Sequence, residues 1–279
     1  MEIVATREPA HMPHDLHDLL RQVDLRRAEL DSHRPLPTGT AASLGEKLAL
    51  DWTYHSNAIE GNTLTLRETR IVLEGVTVGG KSLREHLEVI GHREAIMFVE
   101  ELVSGVGALE ERTICEIHQL VMRKTDPDEA GRYRRENVVI AGASTTPPHH
   151  LLLHEVMADL MQWHETSAKA LHPVERAAQF HARFEGIHPF MDGNGRTGRL
   201  LLGLELMRHG YPPVVIRMED RLAYYDALDK ACLTGDCEEI TRLIALGLLR
   251  TTWMYLAIIA GRDPEPPSQA QSWGLDGLK

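Results

Sequence analysis

The chain has 279 residues, 43% of them hydrophobic, and a formal charge of −11, a length that allows one large domain or a domain with an appendage. The acidic balance excludes an indiscriminate grip on nucleic acid or an anionic membrane, since both require a basic surface that releases counterions. The three cysteines, Cys115, Cys232 and Cys237, form neither an even disulfide set nor a metal-binding spacing, so reduced thiols are expected. Glu2, Arg7 and Glu8 have no apolar run behind them, which is not the layout of a secretory leader and points to the cytoplasm.

Residues 1–13 read as a loose tail. Leu16, Leu19, Leu20, Val23 and Leu30 then recur at helical spacing and predict an amphipathic helix that stops before Pro35 and Pro37. A second helix, spanning about 40–61, is signalled by Leu44, Leu48, Trp52 and Ile59, with Gly61 ending it after Glu60. A carboxylate at that end faces the negative pole of the helix dipole, so Glu60 calls for a cationic partner. Beyond a polar stretch and the Gly79-Gly80 break, the main body is expected to begin at residue 83 and run to 262. Val89, Ile96, Val99 and Val103 mark its first helix; Ile114, Ile117 and Val121 mark the next.

Between Gly131 and His150 the pattern changes. Val138, Val139 and Ile140 are β-branched, Gly142 and Ser144 favour a turn, and Pro147-Pro148 closes the segment, predicting a short β-hairpin over about 137–148. Leu153, Val156, Leu160 and Trp163 return to helical spacing, and Pro173 with Glu175 opens a further helix. His149, His150 and His154 have no Cys or carboxylate at ligand spacing beside them, and His181 reads as a hydrogen-bonded core residue. Near the end, Tyr224 and Tyr225 sit in a helical pattern, either as core packing or as the edge of an adenine pocket. The apolar run 243–260 carries Arg250 near its middle, which favours a core helix over a membrane span. The Pro-rich end, 263–279, is expected to be disordered.

The densest chemistry lies in HPFMDGNGRTGR, His188 to Arg199. Gly193, Asn194 and Gly195 let backbone N–H groups turn inward as an anion nest. Leu200, Leu201, Leu204 and Met207 place that nest at the start of a helix, where phosphate is favoured. His188 is a candidate general base, with an unperturbed pKa of roughly 6.5. Asp192 is a hard oxygen ligand suited to Mg²⁺ shared with a nucleotide. Arg196 and Arg199 can both address a phosphate chain.

This string resembles the signature of the Fic family, HPFx(D/E)GNGRxxR, at every specified position. The resemblance implies an all-α Fic-type bundle with a β-hairpin flap. It further implies AMP transfer from ATP to a Ser, Thr or Tyr hydroxyl of a target protein. His188 would deprotonate the hydroxyl, and Asp192 would hold Mg²⁺. Gly193, Asn194, Gly195 and Arg196 would bind phosphate oxygens, with Arg199 on the γ-phosphate and Phe190 as a buried anchor. The stretch Ser56-Asn57-Ala58-Ile59-Glu60-Gly61 resembles the family's inhibitory motif (S/T)xxxE(G/N), which implies that Glu60 reaches Arg199 and blocks a reactive ATP pose. Because that motif precedes the core, the resemblance is to the class with an N-terminal inhibitory helix, here within an extension over 1–82. GRYRREN before Val138 resembles the approach to the flap, so Val138, Val139 and Ile140 would pair with the target backbone, with Arg132, Tyr133 and Arg135 as support. The run from Tyr224 resembles the family's base-binding pattern but carries Cys232 in place of its Asn. Family members also use other phosphate-containing donors or remove AMP. Self-modification and a homodimer are left open, and neither a nucleic acid nor a membrane partner is expected.

Two rivals come from other classes. Gly193 to Gly198 also fits G-x-G-x-x-G, with Val214-Val215-Ile216 and Glu219 where a Rossmann unit of an NAD-dependent oxidoreductase would place its next strand and ribose acid. That fingerprint requires a strand before the glycines, where this chain has a helical pattern ending in Pro189 and Phe190. The second is a regulatory module that binds nucleotide or a partner with little catalysis; the complete His188 and Asp192 speak against it.

Overall fold

The computed structural model describes residues 15–262 apart from residue 106; the terminal stretches expected to be loose lie outside the described residues. The regular elements of the described chain are helices: α1 (Leu16–Asp31), α2 (Thr38–Ile59), α3 (Leu66–Leu73), α4 (Leu83–Val103), α5 (Glu111–Met122), α6 (Leu153–Glu165), α7 (Pro173–Ile187), α8 (Asn194–Arg208), α9 (Arg221–Thr234) and α10 (Glu238–Ile259). Among the described residues there is no strand, as the all-α reading requires, and the Rossmann alternative falls because α7 occupies the position its strand would need.

The centre of the bundle is α8, buried on all sides from Asn194 to Leu206. It packs against α7, α4, α5 and α2. Leu200, Leu201 and Leu204 join Phe180, Phe184 and Phe190 in one apolar cluster; Leu202 and Leu206 face a second that also takes Leu19, Leu20 and Val23 of α1. A helix apolar all round can sit only inside a bundle. α2 comes close to it because residue 203 is glycine: a β-carbon there would lie 2.3 Å from the Trp52 ring. Trp52 and Ile59 are thereby fully buried, each contributing roughly 1.5–3 kcal/mol, and this packing holds the end of α2 over the start of α8.

Helix ends follow local chemistry. Ser82 and Glu85 form a capping box on α4, and His172 with Glu175 caps α7 ahead of Pro173. α2 ends at Ile59 with Glu60 as its C-cap, one residue earlier than the pattern alone implied. The helix α3 replaces an expected polar stretch; its signal was Thr65-Leu66-Arg67-Glu68, a capping box in which Thr65 accepts from the Glu68 amide at 3.2 Å. α10 is long and apolar enough to cross a membrane, but its apolar window is 67% buried within the protein and Arg250 pairs with Asp220 at 3.0 Å.

The expected hairpin is not a paired one. Residues 137–148 contain no strand and turn where the Ala143 amide donates to the Ile140 carbonyl at 3.2 Å. β-branched residues favour an extended backbone, yet two short limbs alone do not hold a ladder. The limbs are tied down elsewhere: Asp229 on α9 accepts from the Ser144 and Thr145 amides at 2.9 and 3.1 Å.

Candidate active site

The site forms where α7 ends and α8 begins. His188 is the C-cap of α7 in the left-handed region (φ 51°, ψ 59°), the only non-glycine residue with positive φ among those described. Such a backbone is costly for a residue with a β-carbon and needs outside support. It turns the chain into the 188–193 loop, with its imidazole at the site mouth. Burial lowers the pKa of that imidazole, assisted by the Arg134 charge and opposed by the Glu185 backbone, so the ring is neutral near pH 7 and able to accept a proton.

The loop is held from inside. Asn194 accepts from the Phe190 amide and donates to its carbonyl, both at 2.9 Å; its side chain thus closes the loop, leaving only its backbone for an anion. Phe190 is fully buried and stacks on His118 with centroids 3.6 Å apart and planes 1° from parallel. His118 Nε2 donates to the Asp192 carbonyl at 2.9 Å, and its Nδ1 accepts from the Gly131 amide at 2.9 Å. Burial pushes the His118 pKa down to about 4, which preserves the neutral tautomer that both contacts need. His118 was not visible in the sequence as a site residue.

At the N-terminus of α8 no side chain caps the helix, so the first amides are left for an anion. Asp192 accepts from the Gly193 amide at 2.6 Å, from Arg196 at 3.3 Å and from Arg84 at 2.8 Å. Burial works against its ionisation, but Arg196, the amide and Arg84 together hold its pKa below the usual carboxylate value. Arg196, itself buried, also faces Met122 Sδ at 3.6 Å and Glu88 at 3.7 Å. Among the described residues no three His, Cys, Asp or Glu side chains are placed to hold an ion by themselves. A half-exposed, ionised carboxylate beside an anion nest suits Mg²⁺ that brings water and phosphate oxygens with it.

Arg199 is met by the end of α2. Its Nε donates to Ser56 Oγ at 3.0 Å, and its Nη2 donates to the Ser56 carbonyl at 2.8 Å and to Glu60 Oε1 at 2.7 Å. A β-carbon on residue 195 would lie 2.2 Å from that Oε1, so the Glu60 carboxylate rests directly on the glycine of the nest. Burial alone would disfavour charge on Arg199, yet Glu60 foremost holds its pKa raised.

The remaining expected residues divide. Val139 is 90% exposed with Val138 and Ile140 half-buried on either side. Tyr224 is sealed in the core, its hydroxyl 2.7 Å from His181 Nε2, so its ring has no face for a ligand. Tyr225 is half-buried and donates to the Ile59 carbonyl at 3.3 Å, at the end of α2. Consecutive helical residues point about 100° apart, so the pair could not both face one pocket. A groove of about 440 Å³ opens instead between the second flap limb and α9, lined by Thr145, Thr146, Gly186, Cys232 and Gly235 among others.

Residues 108–206 match the sequence model of the Fic/DOC family. The solved structure of Fic-1 (residues 134–508) from C. elegans superposes with a TM-score of 0.81 at 35% identity, covering 88% of this chain and 73% of that one. The chain belongs to the Fic/DOC family. A Fic domain protein of Bacteroides thetaiotaomicron likewise superposes with a TM-score of 0.80 at 28% identity, covering 90% of this chain and all of that one. The curated protein adenylyltransferase Fic of Nematostella vectensis is 41% identical over 248 residues. This Fic chain spans 56% of that relative and 38% of the C. elegans adenylyltransferase fic-1.

Proposed function

We propose that the site transfers AMP from ATP to a hydroxyl side chain of a protein and is restrained by Glu60. The observation that carries this reading is the Glu60 carboxylate, 2.7 Å from Arg199 and seated on Gly195: a site built for an anion, with a base beside it, filled by the chain's own acid. Once Glu60 withdraws, the first amides of α8 and Arg196 hold phosphate oxygens and Arg199 takes the terminal phosphate. Neutral His188 accepts the proton of the incoming hydroxyl as its oxygen bonds to the α-phosphorus. The bond from that phosphorus to the bridging oxygen breaks, and pyrophosphate leaves with the electron pair. Asp192 would hold Mg²⁺, which when bound neutralises charge on the phosphates.

For the base, the groove beside Cys232 has more support than the sealed Tyr224, and Tyr225, held at the end of α2, does not line that groove. The limb at Val138, Val139 and Ile140 presents an unpaired edge to which a target segment adds by main-chain hydrogen bonds.

The test uses wild type, Glu60→Gly and Glu60→Gly/His188→Ala with α-labelled and γ-labelled ATP. Label from the α position should reach protein only when Glu60 is absent and His188 present. Transfer of γ-label would mean phosphorylation, and labelling that survives His188→Ala would remove the base. Mass spectrometry of the product identifies the modified hydroxyl, including any on this chain itself.

A further inference from the structure

Arg134 lies outside the signature and within sixty residues of every group it binds, and its hydrogen bonds go to main-chain carbonyls with no carboxylate among them. It is 2% exposed. Its amide donates to Pro189 at 2.9 Å and its Nε to His188 at 2.9 Å. Its Nη1 donates to Glu136 at 2.9 Å and its Nη2 to Pro148 at 2.6 Å. Those acceptors form two sets. His188 and Pro189 are the turn that carries the base in its left-handed conformation; Glu136, just before residues 137–148, and Pro148, at their end, are the two roots of the flap.

From this geometry we infer that Arg134 is a positioning residue that locks the flap roots to the backbone of His188, so that the edge holding a target and the base acting on it move as one body. The inference rests on the proposed transfer reaction. The physical case has three parts. A guanidinium presents five donors in a rigid planar fork, and here one plane spans three carbonyls that no lysine could reach together. Burial of a charge without a carboxylate is costly unless its donors are satisfied, and these carbonyl contacts supply that. The flap has no ladder of its own, so its placement relative to His188 depends on its anchors: Asp229 ties the second limb to α9, and Arg134 alone of these two touches the catalytic turn. Transfer requires the hydroxyl and the base within hydrogen-bond reach, and displacement of about 1 Å can cost on the order of 100-fold.

The test compares Arg134→Gln and Arg134→Lys in the Glu60→Gly background. Both variants should bind ATP, measured by calorimetry with Mg²⁺, within about threefold of the parent, while kcat falls at least about 30-fold and KM for the protein target rises. Hydrogen exchange should accelerate together in 137–148 and 188–193 and stay unchanged in α4, α5 and α10. Combining Arg134→Gln with Val139→Ser at the flap should cost less than the sum of the separate losses, because one contact chain is broken twice. Loss of ATP affinity equal to the loss of kcat, faster exchange in only one of the two segments, or additive losses would each overturn the inference. If Arg134→Gln does not fold, Arg134→Lys and the exchange readout still decide. Silence of the Glu60→Gly parent would instead count against AMP transfer, while the exchange result would stand on its own.

Discussion

Two acid–arginine pairs bracket the signature, and they differ in kind. At one end Arg199, 2% exposed, meets Glu60 at 2.7 Å, with Ser56 filling two more of its hydrogen bonds. At the other end Arg84 meets Asp192 at 2.8 Å, with side chains 60% and 47% exposed. The distances are nearly equal, but the surroundings are not. A solvated pair contributes roughly 0–1 kcal/mol and yields to salt or to a competing ion. A pair with one partner fully desolvated holds strongly, because leaving the buried charge unmatched is expensive. The Asp192 end of the site is therefore open to exchange, whereas the Arg199 end is latched.

The largest expected effect is on the latch. Glu60→Gly should raise AMP labelling by about 100-fold or more, and a rise below about threefold would show that the latch does not limit the enzyme. The next tests how dry the Arg199 end is. Glu185 is buried behind Gly198, where a β-carbon would come 2.2 Å from its Oε1. Burial, only partly offset by Arg199, raises its pKa from 4.5 to about 8. Between those values the folded protein keeps a proton that the unfolded chain releases, so stability falls as pH rises through the window. Glu185→Gln should remove this slope, and its gain in thermal stability over wild type should grow from pH 5 to pH 8, reaching on the order of a few kcal/mol. A gap independent of pH would mean that Glu185 is not held protonated.

Ser56→Ala removes one of three hydrogen bonds to Arg199 and should loosen the latch partially, with labelling up about five- to tenfold. Equality with Glu60→Gly would make Ser56 the principal lock. The smallest effect belongs to the exposed pair: in the Glu60→Gly background, Arg84→Ala should lower the Mg²⁺ concentration needed for half-maximal ATP binding by about two- to threefold, and less so at high salt. A tenfold change would place that pair in the same class as the latch.

How far these features could be read beforehand depends on where their partners lie. The signature residues were legible because loop, base, acid and helix start are contiguous. Glu60 was legible through its dipole conflict and its motif, although its partner is 139 residues away. Arg134 and His118 were not, since they act on backbone carbonyls and amides of distant segments, which leave no mark in residue type. The β-branched run at 138–140 suggested a β-hairpin that the described residues do not form, because a ladder needs a neighbour that the fold does not supply. Tyr224 and Tyr225 looked equivalent as a pair; the packing of α9 buried one and left the other at the end of α2.

By itself the sequence determined the helical architecture, the glycine-rich start of α8, and which side chains stand as candidate base, metal ligand and anion-binding arginines, because periodicity, capping and short-range spacing are properties of neighbouring residues. Only the tertiary structure decided which arginine is dry and which is wet, what seats the flap, and that the acid of α2 rests on Gly195. Those outcomes depend on burial and on the approach of backbones far apart in the chain, and it is desolvation at those contacts that makes one ion pair a latch and the other a loose cover.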